Sequence, residues 1–443
     1  MRSYSKPLFY GILNLVVFTA RAQQKPVTST GLKLSLFAVW HMVDSYNKTN
    51  QVKQLQVDEV NQNVLDSKAE RLPELVASGN FEEASDLPIY DQGVFNTPSQ
   101  HKIIHTRYKI GVDGYLNIYN GNKTNLKITE GEVLKELELV RQQATASGIR
   151  LLAAAYYLEL KRSYVFELLM VKNIDDQDKQ LAKIKMLLQQ GVILKSDLLR
   201  AELKLSNQRV SLLQIENDIL IANQKLNILI GQPDNQVIVP VDDLQPENLV
   251  LKPYDDYLST LAQAYDNRIA GQEKSLSEVH LKNVKANVAW KIGLYSNFQY
   301  AYPETFLYPY SANIYSLGVA GLKVSFPISG YYLNTHKQKV AYIEVQKQQI
   351  IYADMQDKVR QRLNEAYLRF KEALTKVNVA KVNVTQATEN YRIVRNTYFS
   401  QTSLITDFLD ADVQLLQTNF DLASAQVTAQ LQYYQLQNVL GNL

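Results

Sequence analysis

The sequence predicts a mainly α protein in which long antiparallel coiled-coil helices are joined to four β-strands. Three observations lead to this fold class. The chain of 443 residues contains two similar halves. Each half carries two stretches of about ten residues in which apolar and polar side chains alternate, as they do in amphipathic strands. Each half also ends in helical segments with apolar residues at strict seven-residue spacing, the pattern of coiled coils.

The first 22 residues are predicted to be a secretory signal peptide. Arg2 and Lys6 precede an apolar run over residues 8–18, and an A-x-A site ends at Ala22. This run is too short to span a bilayer as a helix, and the order of features is that of a cleaved signal. Cleavage after Ala22 removes three basic residues from a net charge of +3, so the mature chain is neutral and no nucleic-acid partner is expected.

The chain contains no cysteine. This composition excludes disulfides, thiolate metal sites and cysteine nucleophiles, and it predicts that the protein is not lipidated on an N-terminal cysteine.

An internal duplication organises the chain. Asp197-Leu-Leu-Arg-Ala-Glu leads to Gly231, and Asp407-Phe-Leu-Asp-Ala-Asp leads to Gly441, with 34 positions from Asp to Gly in both copies. The offset between the copies is 210 residues. Such a repeat is the starting point for inferring the fold. The predicted division is a signal peptide at 1–22, a first repeat at 23–231, a linker at 232–256 and a second repeat at 257–443.

Four strands are predicted, at residues 73–83, 107–119, 289–302 and 315–326. In the second of them Tyr108, Ile110 and Val112 alternate with Lys109 and Asp113. All four have about the length that crosses a bilayer when tilted. In the fourth strand the apolar parity switches near Gly321, which predicts a bulge. Loops are predicted at 86–105 and 303–313.

Helices are predicted at residues 31–70, 122–230, 257–287 and 332–440, with turns near Gly191 and Ser400. The a positions of the two heptad patterns are Leu198, Leu205, Leu212, Ile219 and Leu226, and Phe408, Leu415, Leu422, Ala429 and Leu436. The d positions are Ala201, Ile215, Ala222 and Leu229, and Ala411, Thr418, Ala425 and Val439. At 1.5 Å per residue the longest helices approach about 90 Å, more than a globular core requires.

Four strands are too few to close a barrel, and open sheet edges are not tolerated in lipid. Three copies supply twelve strands, an even number inside the range known for membrane barrels. The predicted object is a shared 12-stranded trimeric β-barrel in an outer membrane, continued into the periplasm by an α-barrel of long helices. This geometry is that of a conduit.

The mature chain as a whole resembles the TolC-type outer membrane efflux protein family. The resemblance rests on the duplication, the strand pairs and a turn followed by D-x-L-x-A. Second copies in this family often read D-V-L-D-A, and this chain has Asp407-Phe-Leu-Asp-Ala411. The resemblance implies a homotrimeric channel in the cell outer membrane, in contact with its lipid and without a cofactor. It also implies docking onto a periplasmic adaptor and an inner-membrane pump of the RND, ABC or MFS type.

The resemblance also implies site residues at the periplasmic tip. Asp407 and Asp410 share one helix face and would line the entrance, where three chains contribute six carboxylates that favour cations. Asp197 and Tyr398 match residues that latch neighbouring helices in the closed state. Ser403 stands where family members carry an Arg, so the latch is expected to lack its salt bridge. The turns that would contact the adaptor contain Gly191, Val192, Ser400 and Gln401.

A simpler interpretation remains open for these acids. Carboxylates in the first turn of a helix are favoured by capping and by the helix dipole. This interpretation covers Asp197, Asp407 and Asp410, and it is the one we adopt for Asp412.

Two other function classes compete with the channel: a periplasmic coiled-coil scaffold or adaptor without a channel, and a secreted protein that binds through the Tyr-rich stretch 295–315. The strands of bilayer length favour the channel. An enzyme is not expected, because the sequence contains no nucleophile–base pair, metal motif or cofactor loop. His101 and His105 lack a third ligand and are expected to be solvated loop residues.

Overall fold

The computed structural model describes residues 31–241, 249–306, 309 and 311–443. The predicted signal peptide with its cleavage site lies outside the described residues, as does the part of the predicted linker at 242–248. In chain order the elements are β1 (Leu32–Leu34), α1 (Leu36–Tyr46), α2 (Lys48–Ala69), β2 (Glu74–Glu83), β3 (Leu87–Ile89), β4 (Ser99–His101), β5 (Thr106–Tyr119), α3 (Lys123–Gln189), α4 (Lys195–Ile230), β6 (Ile238–Pro240), α5 (Tyr254–Leu258), α6 (Tyr265–Lys285), β7 (Lys291–Tyr302), β8 (Tyr315–Ser325), α7 (Gly330–Leu333), α8 (Thr335–Phe399) and α9 (Ile405–Leu440). The prediction of a mainly α chain with four long strands is confirmed.

The four long strands form one antiparallel sheet in the order β2-β5-β7-β8. Each predicted half supplies one strand pair, and the two pairs meet where β5 lies beside β7. The bounds of all four strands agree with the sequence prediction to within two residues. Large apolar side chains on this sheet are exposed in the single chain, for example Leu75, Phe81, Ile110 and Leu322.

The predicted bulge at Gly321 is wrong. β7 and β8 pair without interruption, and Gly321 lies directly opposite Tyr295. A Cβ at Gly321 would lie 3.0 Å from the hydroxyl oxygen of Tyr295, so the glycine makes room for the ring of its cross-strand neighbour. The register shift occurs instead in β5, between Asn117 and Tyr119.

A second correction concerns the loop predicted at 86–105. Part of this segment is ordered as a short antiparallel hairpin in which β3 pairs with β4. The two strands have only three residues each, too few for an alternating pattern to be recognised in the sequence.

The long helices form two antiparallel hairpins, α3 with α4 and α8 with α9. α3 also contacts α9, so the four helices follow one another in the order α4, α3, α9, α8. With 67 residues, α3 is about 100 Å long. No helix in the described ranges combines the length and the apolar composition needed to cross a membrane.

The heptad positions of α4 and α9 face the helix packing, as the seven-residue spacing predicts. Leu226, Phe408, Ala429 and Leu436 are fully buried. The remaining a and d positions of both helices are buried or half-buried. Burial of these apolar side chains, and not intrinsic helix propensity, therefore holds the hairpins together.

The segment predicted as one helix at 31–70 is divided into three elements. Residues 32–34 form β1, which pairs in parallel with β6 some 200 positions later. Ser35 then caps α1 by accepting a hydrogen bond from the Ala38 amide at 3.2 Å. Asn47 ends α1 and caps α2, with its Oδ1 accepting from the Thr49 amide at 2.9 Å. Periodicity alone does not locate such caps.

The helix predicted at 257–287 is also divided. α5 is followed by a 3₁₀ turn at Leu261–Gln263, and α6 begins only at Tyr265. The Asn267 side chain donates from Nδ2 to the carbonyl oxygen of Leu261 at 2.8 Å, which stabilises the turn between the two helices.

Candidate functional site

The two inter-helix turns lie at the same end of the helix row, which we call the tip. The side chains that flank them pack into one apolar cluster, which contains Ile184, Ala201, Tyr398, Ile405 and Phe408. Phe408 is fully buried, and its ring stacks on that of Tyr398 with 5.3 Å between centroids and 5° between planes. The first turn of α9 is therefore anchored by an aromatic stack.

The two turns have the same backbone hydrogen bonds at the repeat offset. In the first, the amides of Gly191 and Val192 donate to the carbonyls of Leu188 and Leu187, each at 3.0 Å. In the second, the amides of Gln401 and Thr402 donate to Tyr398 and Thr397, each at 2.9 Å. Gly191 and Gln401 occupy the same left-handed position, with φ of 72° and 63°.

This equivalence yields a prediction. Gln401→Gly is expected to raise the free energy of unfolding by up to about 1 kcal/mol, because a side chain is unfavourable at positive φ. Gly191→Gln is expected to lower it by about 1–2 kcal/mol. No atom of a described residue lies within 4 Å of a Cβ placed on Gly191, so the second effect reports the backbone alone. Denaturant unfolding of the purified protein in detergent measures both changes. An unchanged free energy of unfolding in Gly191→Gln would contradict the equivalence of the two left-handed positions.

Both predicted entrance carboxylates are exposed at the tip. The Leu404 amide donates to Oδ2 of Asp407 at 3.4 Å, so Asp407 caps the N-terminus of α9. Asp410 forms no hydrogen bond or ion pair with any described residue. The capping interpretation thus accounts for Asp407, while Asp410 is an exposed carboxylate without such a contact to a described residue, one turn further along the same helix.

The predicted latch residues are close to each other but not joined. Tyr398 is buried, and its hydroxyl has no hydrogen-bond partner among the described residues. Burial, and then the nearby charge of Asp197, raise the pKa of Tyr398 above its ordinary value. Ser403 accepts a hydrogen bond at its Oγ from the Thr397 hydroxyl at 3.1 Å, so its polar group is used within its own turn.

The interpretation of Asp412 as a first-turn acid is wrong. The residue is 2% exposed, and its Oδ2 accepts a hydrogen bond from the Lys204 ammonium at 2.6 Å. Lys204 also donates to the carbonyl oxygen of Leu409 at 2.9 Å. The pair joins α4 of the first hairpin to α9 of the second, near the tip.

Amides of α3 and α4 extend this buried pair into a network. Asn173 donates from Nδ2 to Oδ1 of Asp412 at 3.3 Å, and Gln208 donates to Oδ1 of Asn173. Burial lowers the pKa of the Lys204 ammonium, and the carboxylates of Asp412 and Asp410 oppose this shift. The network therefore joins α3, α4 and α9 through a largely buried pair of opposite charges.

A signal for this pair was present in the heptads. With Leu205 and Phe408 at a positions, Lys204 is a g residue and Asp412 an e residue. Opposite charges at e and g positions commonly pair between coiled-coil helices. Because the two helices are separated by some 200 residues in sequence, the partner of each charge is identified only by the packing.

The two histidines noted in the sequence lie in β4 and just before β5. Nδ1 of His105 lies 2.7 Å from the carbonyl oxygen of Ala84, and His101 is in β4. Within the described residues no group of three or more His, Asp or Glu side chains is arranged to hold a metal ion.

The fold is a sheet of four strands of 10 to 14 residues joined to helical hairpins about 100 Å long. No family model matches the sequence, and no curated protein matches it significantly. Solved structures do match the fold. One of them is CusC, whose crystal structures concern the conformational changes that accompany its folding and transmembrane channel formation. It has a TM-score of 0.77 at 14% identity, with 92% of this chain and 92% of that chain covered.

Two further structures match over a similar extent. The outer membrane protein VceC of Vibrio cholerae has a TM-score of 0.74 at 15% identity, covering 92% of this chain and 96% of that chain. The outer membrane channel CmeC of Campylobacter jejuni has a TM-score of 0.74 at 12% identity, covering 92% and 85%. The predicted TolC-type fold is therefore confirmed for this chain.

Proposed function

We propose that this chain is one subunit of a homotrimeric outer-membrane channel that exports substrates through a periplasmic helical tunnel. The observation that carries the proposal is the open four-stranded sheet. β2 and β8, of 10 and 11 residues, are the edge strands of this sheet, and the outer edge of each has no strand partner in the described chain. In a bilayer these edges must be paired, and two further copies of the same chain supply the pairing.

The helices support the same assembly. Apolar side chains remain exposed on the two outer helices of the row, namely Leu203, Val210, Leu213, Leu220 and Ile228 on α4 and Val340, Ile343, Ile350, Val379 and Val382 on α8. Two unpartnered apolar stripes at opposite ends of a helix row are what a closed ring of copies would cover. The helical part of the trimer would then enclose a tube.

The proposed location follows from the same features. The signal peptide predicted at 1–22 directs export, and the neighbours CmeC and VceC are described as outer-membrane proteins. We place the sheet in the outer membrane and the helices in the periplasm. Transport, and not catalysis, is the activity that this arrangement serves.

At the tip, Asp407 and Asp410 of three chains would form the entrance ring, and Asp197 and Tyr398 would latch neighbouring helices in the closed state. The exposed turns at Gly191, Val192, Ser400 and Gln401 would contact a periplasmic adaptor, which connects the channel to an inner-membrane pump of the RND, ABC or MFS type. Support for these partners comes from the TolC-type fold and from the exposure of the turns.

Membrane fractionation tests the proposal. The expressed protein is expected in the outer-membrane fraction, and after extraction in mild detergent its mass is expected to correspond to three chains of 50.5 kDa less their signal peptides. In planar bilayers the purified trimer is expected to conduct ions. A protein that is soluble in the periplasm and monomeric would instead support the coiled-coil scaffold.

A further inference from the structure

The second half of the chain contains a long stretch that is almost free of acidic residues. Between Glu278 and Glu344 the only carboxylate is Glu304, which lies in the loop between β7 and β8. The same stretch contains six lysines and no arginine: Lys282, Lys285, Lys291, Lys323, Lys337 and Lys339. A surface with both charge signs interspersed is the usual solution for solubility, so this imbalance requires a reason.

All six lysines lie at the helical end of the sheet. Lys291 is the first residue of β7, and Lys323 is two residues before the end of β8. Lys282 and Lys285 lie in the last turn of α6, while Lys337 and Lys339 lie in the first two turns of α8. We call these six side chains the basic collar. Glu304 lies at the opposite end of the strands.

Two asparagine contacts hold the collar segments together. Nδ2 of Asn334 donates to the carbonyl oxygen of Val284 at 2.7 Å, and Nδ2 of Asn287 donates to Oδ1 of Asn334 at 3.2 Å. The collar lysines of α6 and α8 therefore lie within about 8 Å of this contact along the helix axes. Lys123, the first residue of α3, lies near Lys291. Its pKa is lowered, first by burial and then by the positive charge of Lys291.

The collar is exposed and is not neutralised by the part of the chain that the structure describes. All six lysines are exposed, and none forms an ion pair with any described residue. The corresponding rim of the first half is different, because Lys68 pairs with Glu132 at 3.2 Å and Lys127 pairs with Glu70. The helix dipole favours lysines at the end of α6 but opposes Lys337 and Lys339 at the start of α8.

Aromatic rings lie directly beside the collar. Trp290 stacks on Phe326 with 4.5 Å between centroids, and Phe326 contacts Tyr331 at 5.6 Å. Trp290, Tyr331 and Tyr332 are 54%, 61% and 68% exposed. Tryptophan and tyrosine rings at a strand end are typical of the boundary between lipid headgroups and water. A row of lysines at that level meets the phosphates of the headgroups.

We propose that the basic collar and its aromatic rings bind anionic phospholipids in the periplasmic leaflet of the bilayer. The lysine ammonium groups contact the phosphodiester, whose negative charge is not balanced by a cation in the headgroup. The rings of Trp290, Phe326 and Tyr331 pack against the glycerol and the first acyl carbons. The binding surface lies on the second half only, so a trimer carries three such surfaces. This inference rests on the proposed function, because it requires the sheet to lie in a membrane.

Native mass spectrometry of the detergent-solubilised full-length protein tests the inference. Phosphatidylglycerol and phosphatidylcholine with the same acyl chains are titrated separately, and about three tightly bound phosphatidylglycerol molecules per trimer are expected. Lys291→Gln/Lys323→Gln is expected to weaken phosphatidylglycerol binding about tenfold or more, and to leave phosphatidylcholine binding as it was. The matched control is Lys68→Gln/Lys127→Gln, which removes two charges from the first half and is expected to retain the preference.

Several results would overturn the inference: equal binding of the two lipids to the unaltered protein, equal losses in the collar and control variants, stronger binding of lipopolysaccharide than of phosphatidylglycerol, or full displacement of the lipid by inorganic phosphate at equal concentration. Gel filtration establishes beforehand that both variants are folded oligomers. If the unaltered protein forms conducting trimers without a lipid preference, only this inference fails. If it forms no membrane-inserted oligomer, the proposed function fails.

Discussion

Asp412→Ala is expected to lower the free energy of unfolding by about 3–5 kcal/mol, because it leaves the Lys204 ammonium buried without its counter-charge. Lys204 would retain only its hydrogen bond to the Leu409 carbonyl. Asn173 would lose an acceptor for its amide as well. Denaturant unfolding in detergent at a fixed protein concentration measures the change. We expect the substitution to weaken the packing of α4 against α9 near the tip, where the pair joins the two hairpins.

A double variant separates the buried charge from the shape of the site. Lys204→Met/Asp412→Leu replaces both charges with apolar groups of similar size, and it is expected to be close to neutral or stabilising. The exposed pair of Glu389 and Arg392 on α8 is the matched control, since solvent screens it and its removal is expected to change little. If Asp412→Ala is as stable as a variant that lacks the Glu389–Arg392 pair, the buried pair does not hold the two hairpins together.

Asp407→Ala/Asp410→Ala is expected to weaken block of the channel by divalent cations. In the proposed trimer it removes six carboxylates from the entrance, and rings of acidic side chains are what favour cations in pores. We expect the magnesium concentration for half-block to rise about tenfold, which corresponds to about 1.4 kcal/mol of lost interaction. Conductance recordings of the purified trimer in planar bilayers provide the measurement.

Asp421→Ala serves as the control for this experiment, because Asp421 is an exposed acid on the same helix about 16 Å further along. It is expected to leave the block as it is. Equal block in the double variant and the unaltered channel would remove Asp407 and Asp410 from the entrance.

Tyr398→Phe tests the latch separately. The hydroxyl has no hydrogen-bond partner among the described residues, so we expect no loss of stability. A change in leak current would identify a role in gating.

Several features of the fold follow from the sequence by itself. The strand bounds could be predicted because alternation over ten or more residues is specific to a two-faced strand. The heptads identified the buried faces of α4 and α9, since seven-residue spacing returns a side chain to the same helix face. A turn was predicted near Gly191, and that residue adopts a positive φ, which glycine tolerates most easily. These are local properties, and each depends on a few neighbouring positions.

Contacts between distant segments were decided by the tertiary structure. The pairing of β1 with β6, the ring of Tyr295 over Gly321 and the burial of Asp412 against Lys204 each join residues that no short stretch of sequence relates. An exposed acid in a first turn and a buried acid one turn later look the same in sequence, because burial depends on which helix packs over the position. The sequence thus determined the elements and their apolar faces, while the packing of the two halves decided which charges are buried and which remain exposed at the tip and the collar.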